Sequence, residues 1–189
     1  VYMHVNDPEE FWNPLEVSEF AKKAGWFYDS TYINNEEQYR QILQVLENHP
    51  KLRILFPHFF FLSKQLDRLS EILDRYQNVC IDITPGIELY YNLSEQQERA
   101  KQFFDRYSKL PSGEILAMIK KEPTFLSIEE CESRMHLITG FLETKGPYIL
   151  KPDGYYVAGS EERQMCGLGL QGEILDKIYE KNFLRFAAK

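Results

Sequence analysis

Apolar and polar positions along the chain switch between two periods. The runs "VYMHV", "LRILFPHFF" and "NVCIDIT" are short, apolar and rich in β-branched and aromatic residues, which is the pattern of strands buried on both faces of a parallel sheet. Each is followed by a helical pattern. After the first comes a polar and aromatic loop and then "EEQYRQILQVLEN", with Tyr39, Ile42, Leu43 and Leu46 on one face. After the second comes "SKQLDRLSEILDRY", with Ser63 as the expected N-cap and Leu66, Leu69, Ile72, Leu73 and Tyr76 as its stripe. The third is stopped by Pro85 and Gly86, and Ser94 with Gln97 predicts a capping box opening "SEQQERAKQFFDRY". Three strand and helix units in series imply right-handed crossovers and parallel pairing.

The remainder is less periodic. "GEILAMI" reads as a fourth buried strand by its position, or as a short helix after Pro111. Ser127 and Glu130 predict a second capping box ahead of "IEECESRMHLITGFLE", and "EILDKIYEKNFLRF" reads as a closing helix. Turn signals at Pro152, Asp153 and Gly154 make "YILKPDGYYVAG" a loop or an irregular hairpin.

Composition narrows the class. With 189 residues, 43% of them hydrophobic, the chain has the material for the core of a single domain over 1–189. A net charge of −7 without a clustered basic face argues against nucleic acid and anionic membrane surfaces as partners. No apolar run approaches the roughly 20 residues of a membrane span. Cys80, Cys131 and Cys166 are widely spaced and odd in number, so reduced thiols and a cytoplasmic address are expected. Val1 stands directly in a strand-like run, which reads as a piece of a longer protein.

Candidate chemistry gathers at one end of the strands. His4 ends "VYMHV", His58 lies late in "LRILFPH", and Asp82 and Thr84 lie late in "NVCIDIT". In a parallel α/β barrel the active site is built from strand ends at the carboxyl face. Alternation places Tyr2 with His4, Ile54 and Phe56 with His58, and Cys80 with Asp82 and Thr84. Imidazoles from adjacent strands suit a divalent cation, and zinc in particular takes histidine nitrogen. Asp82 reads as a carboxylate that hydrogen-bonds loop amides rather than as a ligand. His49 reads as a helix C-cap and His136 as a solvated helical residue. "GLGLQG" follows no recognisable strand and lacks phosphate-loop spacing, so no nucleotide site is expected.

The segments "HVNDPEEFW", "GWFYDSTYINNEEQYRQILQVLENHPKLRILFPHFFFLS", "NVCIDITPGIELYYN" and "GLGLQGEILDKIYEKNF" resemble the C-terminal half of TIM-barrel metal-dependent hydrolases of the amidohydrolase-related family. The resemblance implies an α/β fold, the C-terminal part of a (β/α)8 barrel with parallel strands alternating with helices. It also implies that His4 and His58 bind a divalent metal such as zinc, and that Asp7, Trp12, Thr84 and Glu88 line the pocket of a small-molecule substrate.

Two features depart from the family pattern. The chain has no His-x-His pair, and "SGEILAMIKKEP", with Lys120, stands where the family carries a strand-end aspartate. Two function classes follow: a metal-dependent hydrolase acting on a small organic substrate, or a catalytically inactive barrel remnant with a binding or assembly role. With two ligands, the chain alone is expected to bind zinc weakly or not at all. A half barrel leaves sheet edges open, so a missing N-terminal half or a second copy in a homodimer is expected to complete it.

Overall fold

The computed structural model describes residues 1–86, 88–109, 115–116, 128–151 and 161–188. After a one-turn 3-10 segment (Glu9–Trp12), the elements are α1 (Glu19–Ala24), α2 (Asn35–Asn48), β1 (Ile54–Phe56), α3 (Leu66–Arg75), β2 (Val79–Asp82), α4 (Leu89–Glu95) and α5 (Gln97–Lys109). β3 (Ile115–Leu116), α6 (Ile128–Glu143), β4 (Lys145–Leu150), β5 (Arg163–Leu168), α7 (Glu173–Asp176), a π turn (Lys177–Lys181) and α8 (Asn182–Ala187) complete the order.

β1, β2 and β3 form one parallel sheet in chain order, with Ile54 opposite Val79 and Ile81 opposite Ile115. Val1–Met3 runs beside β1 through a parallel bridge from Tyr2 to Leu55, with Leu55 N–H donating to Val1 O and Met3 N–H to Leu55 O. The four lanes therefore lie side by side in sequence order. Helices intervene between them, as the periodicity predicts. Ile115 and Leu116 of "GEILAMI" are strand; the rest of that run, and Lys120 after it, lie outside the described residues. Pro152, Asp153, Gly154 and Ser127 of the second capping box lie outside them too.

The sheet separates two environments. Ile54, Phe56, Val79 and Ile81 join the main core with Tyr39, Ile42 and Leu46 of α2, Leu69 and Leu73 of α3, and Phe103 and Phe104 of α5. On the other face Leu55 and Cys80 meet Phe186 of α8, whose ring lies under the Arg53 guanidinium at 4.6 Å.

Several local expectations give way to tertiary bonds. Ser63 is buried and accepts from Asn92 Nδ2 at 2.9 Å, while Gln65 occupies the N-cap of α3 without a side-chain bond. Ser94 sits inside α4, and its Oγ accepts from Cys166 N–H at 2.6 Å instead of forming a box with Gln97. β4 and β5 form a regular antiparallel hairpin, Lys145 opposite Leu168 and Leu150 opposite Arg163. "GLGLQG" thus begins in a strand, contrary to the sequence reading, although that strand belongs to a hairpin.

The hairpin docks closely. A Cβ added at Gly167 would lie 2.3 Å from Thr144 O, a backbone atom with little room to move. Gly167→Ala is therefore expected to shift β5 off α6 and destabilise the fold by roughly 1–3 kcal/mol, as overpacking does. Urea denaturation checks this, and an unchanged midpoint would contradict the packing described.

Candidate functional site

The strand "LRILFPHFF" ends at Phe56, because Pro57 has no N–H to give the ladder. The next four residues, His58, Phe59, Phe60 and Phe61, all adopt left-handed backbone, with φ of 54°, 59°, 56° and 54°. Such geometry costs side-chain-bearing residues roughly 1–2 kcal/mol each. Burial and hydrogen bonds hold it. Phe59 packs on Phe103 and Phe104, Phe60 stacks on Phe56 at 4.0 Å, and Tyr39 OH donates to Phe60 O at 3.0 Å.

Asp82 ties the turn to β2. It is fully buried, and its Oδ1 accepts from His58 N–H and Thr84 N–H, both at 3.0 Å, while Tyr2 OH donates to Oδ2 at 3.0 Å. Burial pushes its carboxyl above the usual range, and the donors around it pull the other way. This is the amide-binding carboxylate expected from the sequence. Tyr2 was recognised only as sharing a face with His4; its bond to Asp82 has no local sequence signal.

The turn presents the His58 ring in a defined state. His58 Nδ1 lies 3.0 Å from Thr84 O, an atom that only accepts, so Nδ1 carries the hydrogen. Burial lowers the pKa of His58, which keeps the ring neutral and leaves a lone pair on Nε2. A ring fixed through Nδ1 to a backbone carbonyl is the arrangement that orients metal-ligating histidines.

His4 lies beside it. The two rings are 5.4 Å apart between centroids and inclined at 73°, and both touch Phe61, at 5.1 and 5.3 Å. Asn6, at a φ of 74°, turns the chain after His4, and its Nδ2 donates to Asn35 O. Asp7 follows, accepting from Tyr28 OH at 2.7 Å and acting by its charge on His58. Burial and that bond push the Tyr28 phenol up to about 12. Trp12 lies 4.5 Å from the Tyr28 ring, in a small cluster with Phe11, Val17 and Ala21.

His4, His58, Asp7 and Thr84 are therefore brought together, and Trp12 stands behind Asp7. Glu88 is placed differently. Its carboxyl oxygens are buried and bond no other residue, and Glu88 lines a cavity of about 420 Å³ whose lining includes none of the other five residues. Burial, with Glu10 adding to it, pushes its pKa up to about 8. Gly86 makes room: a Cβ there would lie 3.1 Å from Glu88 Oε2. Glu10, which shares this cavity, was passed over in the sequence, where nothing distinguishes it from a solvated acid.

The two imidazoles fit a metal in donor type but not in number. Among the described residues no group of three or more His, Cys, Asp or Glu side chains is placed to hold a metal ion. No helix among them is long and apolar enough to cross a membrane. Comparison of the chain with protein-family models, curated proteins and solved structures finds no match.

Proposed function

We propose that this chain forms the C-terminal part of a (β/α)8 barrel of the amidohydrolase-related type, and that His4 and His58 are two of the ligands of a divalent metal, zinc by donor preference, in a hydrolase acting on a small organic substrate. The observation that carries this reading is the His58 ring, neutral, hydrogen-bonded through Nδ1 to Thr84 O and 5.4 Å from His4. The parallel lanes of Val1–Met3, β1, β2 and β3, arranged in chain order, support it. The resemblance of "HVNDPEEFW" and "NVCIDITPGIELYYN" to that family supports it as well.

On this reading Asp7 and Thr84 face the substrate beside the histidines and Trp12 forms an apolar wall, while Glu88 lines a separate cavity. The other metal ligands and the principal proton acceptor come from an N-terminal half or from a second copy. A small-molecule partner and a cytoplasmic address belong to the same proposal. No catalytic step is assigned to two ligands alone, because a catalytic zinc takes about three protein ligands and an open position.

A second reading, a barrel remnant that binds or assembles without catalysis, is favoured by one observation: among the described residues no third His, Cys, Asp or Glu side chain is placed to hold a metal ion with the two histidines. Equilibrium dialysis of the chain against zinc separates the two. The hydrolase reading expects weak binding that falls about tenfold or more in His58→Ala, the loss typical of a damaged metal site. Equal binding in the two proteins would remove His58 from the metal and favour the remnant.

A further inference from the structure

Residues 8–33, between the first strand lane and α2, carry a small core of their own. Phe11, Val17 and Ala21 form it, apart from the main core, with Trp12, Phe27 and Tyr28 packed against it. Trp26 stacks on Phe11 at 6.0 Å and Tyr28 N–H donates to Phe11 O at 2.9 Å, so the end of the segment returns to its beginning. The base is pinned as well, since Asn6 Nδ2 donates to Asn35 O at 3.0 Å. A compact loop whose ends meet and whose side chains pack on one another can move without the rest of the fold.

The bonds from this loop to its surroundings are unequal. Glu9 Oε2 accepts from Gln65 Nε2 at 3.3 Å, and Glu10 Oε2 lies 3.9 Å from Lys64 Nζ; both are long for their groups. Tyr28 OH to Asp7 Oδ2 is short, 2.7 Å, and its acceptor is a carboxylate. That bond joins the far end of the loop to the residue that stands beside the histidines. The loop starts shortly after His4, at the strand end where the two rings meet, and it walls one side of the site there while His4 stays exposed.

We propose that residues 8–33 are a lid that opens as one unit beside the histidine site, with the Tyr28–Asp7 hydrogen bond as its latch. What the lid serves rests on the hydrolase reading: opening frees Asp7 Oδ2 and widens the way to His4 and His58 for a substrate. The opening itself needs neither metal nor substrate, so a failed lid and a failed hydrolase reading are told apart.

The chain carries its own reporter. Both of its tryptophans, Trp12 and Trp26, lie in this segment, whereas the long helices α2, α3, α5 and α6 lie outside it and dominate far-ultraviolet circular dichroism. The test is urea denaturation of the full chain followed by tryptophan fluorescence and by dichroism, with a chelator present. Fluorescence is expected to change at lower urea than dichroism, because a unit that opens separately breaks two-state coincidence. Tyr28→Phe keeps the ring and removes the latch. It is expected to move the fluorescence transition to still lower urea and to leave the dichroism transition, which then starts from the opened state, where it was. Hydrogen exchange under native conditions reads the same opening by residue. Gly25 N–H and Trp26 N–H, both bonded inside the lid, are expected to exchange faster than Leu69 N–H and Tyr76 N–H of the main fold. Tyr28→Phe should speed the first two by about tenfold, the factor that a hydrogen bond to a charged group supplies at the low end of its range. Coincident transitions in the wild-type chain, equal protection of Trp26 and Leu69, or a fluorescence transition unmoved in Tyr28→Phe would each overturn the proposal.

Discussion

Asp82→Ala is expected to be among the most damaging single substitutions in this chain. It strands two buried amides, His58 N–H and Thr84 N–H, and removes the acceptor of Tyr2 OH. Each stranded buried donor costs about 1–3 kcal/mol, so a loss of roughly 3–5 kcal/mol is expected in urea denaturation. The left-handed turn at His58–Phe61 loses its tie to β2 at the same time. Asp82→Asn keeps an acceptor oxygen for the amides and is expected to lose roughly 1–2 kcal/mol. Equal losses in the two variants would show that the charge of Asp82, and not its acceptor geometry, holds the turn.

Glu88→Gln is expected to act in the opposite direction, by an amount that grows as pH rises above about 4.5. The carboxyl has a folded-state pKa of about 8 against 4.5 for the free side chain. Between those values the unfolded chain has released the proton and the folded chain retains it, so stability falls as pH rises through the window and levels off above it. The fall amounts to about 1.4 kcal/mol per pH unit, on the order of 4–5 kcal/mol in all. Glutamine has the shape of the protonated acid and no charge to bury. The variant should match the wild type near pH 4 and exceed it by several kcal/mol near pH 8, as chemical denaturation at the two pH values will show. Parallel pH profiles for the two proteins would mean that Glu88 is solvated.

The strand and helix order was legible because both periods are written locally: Ile54, Phe56, Val79 and Ile81 pack against the helices whose stripes the sequence displays. The N-caps were less legible. Ser63 and Ser94 carry capping chemistry, but each is taken by a partner distant in sequence, Asn92 and Cys166. His58 shows the limit most clearly. Alternation puts it on the face of Ile54 and Phe56, yet β1 stops at Phe56 and a left-handed turn delivers the ring to Thr84 and His4 instead. Pro57 signals the break, but four successive left-handed residues without glycine are set by tertiary packing and leave no local mark. The role of Asp82 toward loop amides was visible from its place at a strand end. That Glu88 would line a cavity apart from the histidines was not, since Arg163, Gln164 and Met165 come from a hairpin far along the chain.

The central claim is that His58 and His4 form a paired nitrogen donor set, with the His58 lone pair held on Nε2. Nitrogen-15 NMR of the imidazoles, before and during titration with zinc, tests it most directly. The account predicts that neutral His58 carries its hydrogen on Nδ1, and that zinc shifts His58 Nε2 together with a ring nitrogen of His4 at one equivalent. A His58 protonated on Nε2, or a zinc titration that moves one ring and leaves the other unchanged, would contradict it.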